Sequence, residues 1–78
     1  MNSQQHDDNK IATLNSEYIE LDKLLKRENL AASGGEAKYL VSQGVVQVNG
    51  EIETRKRRKL YAGDLVSYDG INIRIAAK

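Results

Sequence analysis

At Gly44 the apolar pattern of this 78-residue chain changes its period, and that change limits the folds open to it. Before it, apolar residues recur at helical spacing; after it, they alternate. Val46 and Val48 flank Gln47, and Asn49-Gly50 is a strong turn signal with Ile52 beyond it. Two turn lengths compete there. A two-residue turn sets Val48 opposite Glu51. A three-residue loop sets Val48 opposite Ile52 and Val46 opposite Thr54. The apolar pattern favours the longer loop, because register must keep one face dry. A second hairpin runs from Leu65 to about Ile75 around Asp69-Gly70. Its two-residue turn pairs Tyr68 with Ile71 and Val66 with Ile73, and Ile75 continues that face. Ala62-Gly63-Asp64 is the turn that leads into it.

Upstream, Leu21, Leu24 and Leu25 have helical spacing among good helix formers, which predicts a first helix at about Leu21–Glu28. Asn29 can leave it in a left-handed conformation, and Leu30-Ala31-Ala32 forms a short connector. Ser33-Gly34-Gly35-Glu36 fits a capping box, in which serine and glutamate each satisfy an orphan backbone N–H. Ala37, Leu40 and Val41 form the apolar stripe of this second helix, and Gly44 stands where a helix-ending glycine belongs. Ile11–Leu14 and Tyr18–Ile19 are short and β-prone. Residues 1–10 are polar and without period, which reads as a flexible tail. The expected fold is α+β: one domain over residues 11–78, with two short packed helices beside a small, mostly antiparallel sheet.

Composition removes several function classes. There is no cysteine, so disulfides and cysteine-built zinc sites are excluded. His6, the only histidine, lies in the polar tail. No Cys/His pair, phosphate-cradling glycine loop or nucleophile elbow is present. Asp22, Asp64 and Asp69 are scattered, and the last two suit turns. No catalytic residues, metal or cofactor are expected. No apolar stretch approaches the ~20 residues that span a bilayer, and residues 1–8 have no apolar core of a signal peptide. A soluble, monomeric, cytoplasmic protein is the expectation.

The formal net charge of +1 conceals an asymmetry. Residues 1–54 carry five Lys/Arg and nine Asp/Glu, whereas residues 55–78 carry seven and two. The basic excess concentrates in Arg55-Lys56-Arg57-Arg58-Lys59. Crowded like charges cost the free protein a few tenths of a kcal/mol per pair, on the order of helix and strand neighbours. A nucleic-acid phosphate would offset that cost. A solvated loop that aids solubility accounts for the run equally well. Lys23, Lys26 and Arg27 share one helical face, and Lys38 is on the outer side of the second helix; ordinary solvated faces explain both. Gly34 and Gly35 leave the second helix's start bare, which either admits phosphate to its N–H groups or relieves packing against the first helix. Among Tyr39, Tyr61 and Tyr68, the last fits the apolar face of its hairpin. Tyr61 borders the basic run and is the better candidate to stack on a base.

Leu21-Asp22-Lys23-x-Leu25, Leu30, Ser33, Ala37, Gly44, Val46-x-Val48-Asn49-Gly50 and Gly63-Asp64, in that order, resemble the ribosomal-protein S-four RNA-binding domain. The resemblance covers roughly residues 18–69. Ser33-Gly34-Gly35-Glu36-Ala37-Lys38 and the arginine-rich run before Tyr61-x-Gly63-Asp64 are similar to its small stand-alone bacterial branch. The resemblance implies a non-catalytic module that binds structured RNA, ribosomal or transfer RNA, with the ribosome itself as a candidate partner. Two positions depart from the family pattern. Glu20 stands where many members have a basic residue, and Gly34 where many have arginine. Lys23 and Lys38 occupy positions that are often basic. Two other readings stay open: a helix-turn-helix DNA binder, although Gly34 and Gly35 have no side chains with which to read bases, and a protein-interaction adaptor to an acidic surface of the ribosome.

Overall fold

A computed structural model describes residues 8–78. Leu21, Leu24 and Leu25 are fully buried on one side of α1 (Leu21–Arg27), as their spacing dictates. The helix closes at Glu28, and Asn29 turns the chain with φ 63°. The N–H of Leu30 then reaches back to the carbonyl of Leu25 at 2.9 Å. α2 (Gly34–Ser42) begins at the predicted cap: the Ser33 hydroxyl accepts the N–H of Glu36 at 3.1 Å. The Glu36 carboxylate closes the box on the N–H of Ala32, one residue earlier than the simplest form of the motif. Ala37 and Val41 are buried against α1, with Leu40 half-buried beside them.

Seven short strands complete the chain: β1 (Asp8–Thr13), β2 (Ile19–Glu20), β3 (Gln47–Val48), β4 (Glu51–Ile52), β5 (Lys59–Leu60), β6 (Leu65–Tyr68) and β7 (Ile71–Ala76). Five of them form one sheet in the order β1-β7-β6-β3-β4, and β2 pairs with β5 in a separate ribbon. All pairs are antiparallel except β1 with β7. The inner face of the sheet supplies Ala12, Val48, Val66, Ile73 and Ile75 to one core, with Leu14, Val46 and Leu60 and the buried side chains of both helices. The α+β expectation holds.

The β6–β7 hairpin has the predicted register, Tyr68 with Ile71 and Val66 with Ile73. The β3–β4 hairpin does not. Its turn has two residues, so Val48 faces Glu51 and Gln47 faces Ile52. Asn49 and Gly50 both have positive φ, 54° and 84°, the signature of a type I′ turn whose twist matches the strands. Turn chemistry therefore overrides the apolar match, and Ile52 is left 63% exposed on an edge strand. Residues 8–10, read from sequence as part of the tail, form the first half of β1; the remainder of that tail, 1–7, lies outside the described residues.

Candidate nucleic-acid interface

The basic run is a loop that hands over to β5 at Lys59. It is tied to α1 by an unusual cap. Glu20, at the helix N-cap, makes no side-chain cap bond. Instead the first helical N–H groups, of Leu21 and Asp22, donate to the carbonyls of Arg58 and Lys56, each at 2.9 Å. Two orphan donors of the helix are thus satisfied by the backbone of the loop. Immediately before, Glu20 pairs with Lys59 and Ile19 with Leu60 across the β2–β5 ribbon. The loop and the helix start are thus joined by backbone hydrogen bonds on two sides.

Glu53 fixes the loop from below. It is only 7% exposed, and its N–H donates to the Val46 carbonyl at 2.9 Å. Its carboxylate accepts the Arg55 Nε and Nη2 at 2.9 and 3.0 Å, a side-on fork, together with the Arg55 backbone N–H at 2.9 Å. The Arg58 Nη1 adds a fourth bond at 2.7 Å. These donors hold the Glu53 carboxyl down at about 2, with the Arg55 side chain the largest cause and burial opposing it. Arg55 is raised in turn, chiefly by its bond to Glu53. Two of the five cations are therefore partly compensated, yet the Arg55 side chain remains 74% exposed. Arg57 and Lys59 are exposed and Lys56 is half-buried.

Tyr61 lies beside Tyr18, with ring centroids 5.8 Å apart and planes tilted by 48°. The Lys59 Nζ stands 4.8 Å from the Tyr18 ring centroid, in cation–π contact. Tyr18 is the residue that sequence reasoning missed: it stands three positions before Leu21, the first matched residue of the pattern, and the β2–β5 pairing brings it to Tyr61. Tyr68 packs against the core as expected, and Tyr39 is exposed on α2.

On the helical side, Lys23 is exposed and lies 3.6 Å from Glu20. Arg27 contacts Glu28 at 3.4 Å, and Lys26 is exposed. Lys23 and Arg27 share an open cleft with residues 15–20. Lys38 and Gly34 belong to α2, which packs on α1 and not on the basic loop itself. A Cβ at Gly34 would meet nothing within 4 Å, so relief of packing does not account for that glycine. The Glu36 carboxylate already occupies that helix end, however. Asn49 and Asp64, both within the recognisable pattern, are structural. The Asn49 amide donates to the Asp64 carboxylate at 3.1 Å and accepts the Leu65 N–H at 2.9 Å, while Asp64 accepts the Tyr61 N–H at 2.8 Å. Among the described residues, no group of three His, Cys, Asp or Glu is placed to hold a metal, and no helix is long and apolar enough to cross a membrane.

The profile of the S4 domain family matches residues 12–76. YbcJ of Escherichia coli (strain K12) is 43% identical over 60 residues, covering 77% of this chain and 86% of that protein. The "Probable ribosome maturation protein RlbA" of Bacillus subtilis (strain 168) is 41% identical over 58 residues, covering 74% and 82%. The solution structure of E. coli YbcJ, described as revealing an ALFAL motif involved in RNA-binding, aligns over 99% of this chain and 96% of that one. Its TM-score is 0.64 at 34% identity.

Proposed function

The chain belongs to the S4 domain family, and from that premise we propose that it is a single, non-catalytic domain that grips structured RNA by its phosphates. The observation that carries this reading is the cap formed by the Lys56 and Arg58 carbonyls on α1. It joins the basic loop to the start of the helix bearing Lys23, Lys26 and Arg27, so cations from two distant parts of the sequence act as one surface. Arg55, Lys56, Arg57, Arg58 and Lys59 supply its centre. Lys23, Lys26 and Arg27 extend it along α1, and Lys38 continues it on α2, whose start the Glu36 carboxylate closes at Gly34. Tyr61 borders the run two residues beyond Lys59.

Contacts of this kind position a protein without reading sequence. Recognition therefore follows RNA shape, with modest base specificity. The relative named for ribosome maturation favours ribosomal RNA over transfer RNA as the target. A ribosomal partner implies the cytoplasm, and a monomer carries the whole surface. The test is competition between a folded RNA hairpin and duplex DNA of equal length. RNA should displace the DNA readily, whereas equal competition would refute RNA-shape recognition.

A further inference from the structure

The open cleft between residues 15–20 and α1 has a volume of about 520 Å³. That falls within the roughly 300–1,000 Å³ typical of small-ligand sites. Tyr18 and Ile19 give it apolar wall; Lys23 and Arg27 give it cations, each beside a carboxylate, Glu20 at 3.6 Å and Glu28 at 3.4 Å; Asn15, Ser16 and Glu17 give it exposed polar groups. Beside it, Lys59 is held over the Tyr18 ring, and Tyr61 tilts against the same ring. A phosphate-only surface has no use for this combination. An aromatic wall with hydrogen-bonding groups, two α1 cations in the lining and Lys59 against the same ring suits a planar base still attached to a charged backbone.

The geometry points to this cleft as the site of one unpaired nucleobase, stacked on Tyr18, with Lys59, Lys23 and Arg27 on its flanking phosphates. The inference rests on the RNA-binding reading and deepens it: the phosphate surface supplies affinity for any folded RNA, and the cleft selects one with an extruded base. Glu17 and Asn15 at the rim offer an acceptor carboxylate and an amide to the base edge.

Two RNA hairpins separate the claims, one fully paired in its stem and one with a single bulged 2-aminopurine. Wild type should bind the bulged hairpin at least about 5-fold more tightly, the low end of what one stacked base is worth. The 2-aminopurine fluorescence should fall on binding as the base stacks. Tyr18→Leu, which keeps apolar bulk without a ring, should abolish the preference while salt-dependent binding of the paired stem persists. Tyr18→Phe should retain it. Equal wild-type affinity for the two hairpins, an unquenched bulge, or a preference that survives in Tyr18→Leu would overturn the cleft while leaving phosphate binding intact. Failure of wild type to bind either hairpin in a salt-dependent way would overturn both readings.

Discussion

Glu53 stands two residues before the basic run, and no motif singles it out. Its importance follows from the turn. A three-residue loop would direct Ile52 inward and Glu53 outward; the two-residue turn at Asn49-Gly50 reverses both, since a slip of one residue exchanges the faces of a strand. The buried carboxylate then gathers Arg55 and Arg58. Because its folded value, about 2, lies below the ordinary 4.5, it stabilises the fold fully above pH 4.5. That stabilisation fades as pH falls from 4.5 toward 2. Urea midpoints measured across this window should decline in wild type, and Glu53→Gln should remove this part of the decline. At neutral pH the same substitution should cost about 1–2 kcal/mol, the lower part of the range for bonds to a charged group, because Arg55 stays largely in water.

Both helices were legible in the sequence from leucine spacing and the Ser33 capping box, but their starts are stabilised differently. α2 carries its own cap, so Ser33→Ala should lower stability by about 1 kcal/mol in chemical denaturation. Glu20 makes no cap bond, and its contact with Lys23, at 3.6 Å, is long and exposed on the lysine side. Glu20→Ala should therefore change stability by less than about 0.5 kcal/mol. The cap of α1 comes from carbonyls some 35 residues downstream, since Leu21 bonds to Arg58 and Asp22 to Lys56. No local signal encodes such a contact. Backbone carbonyls are present at every residue, and which of them reach a helix end is decided by the path of the whole chain. The same holds for Tyr18, whose partner Tyr61 is brought to it by two strands of two residues each.

For the molecule as a whole, the α+β class and the second hairpin followed from the change of period at Gly44, and the ordered family pattern named the domain. The parallel pairing of β1 with β7, which joins the two ends of the described chain, did not. A polar Asp-Asn-Lys start conceals it, and its one buried residue is Ala12, with Leu14 just past its end, too few to show alternation. Leu14 is nonetheless buried in the core, so Leu14→Ala should cost about 2–3 kcal/mol, within the range for a leucine truncation. The pattern residues Asn49 and Asp64 build the scaffold that presents the cations. The central claim is that this scaffold makes one phosphate-binding surface from the loop and α1. The most direct test is the salt dependence of binding to a folded RNA hairpin, for wild type and for Lys56→Ala/Arg57→Ala, which leaves the Glu53 clasp intact. If about three phosphates are neutralised, log K should fall against log salt with a slope of roughly −2 to −3, and the double variant should bind more weakly with a slope shallower by about 1 to 2. An unchanged affinity and slope in the variant would contradict the claim.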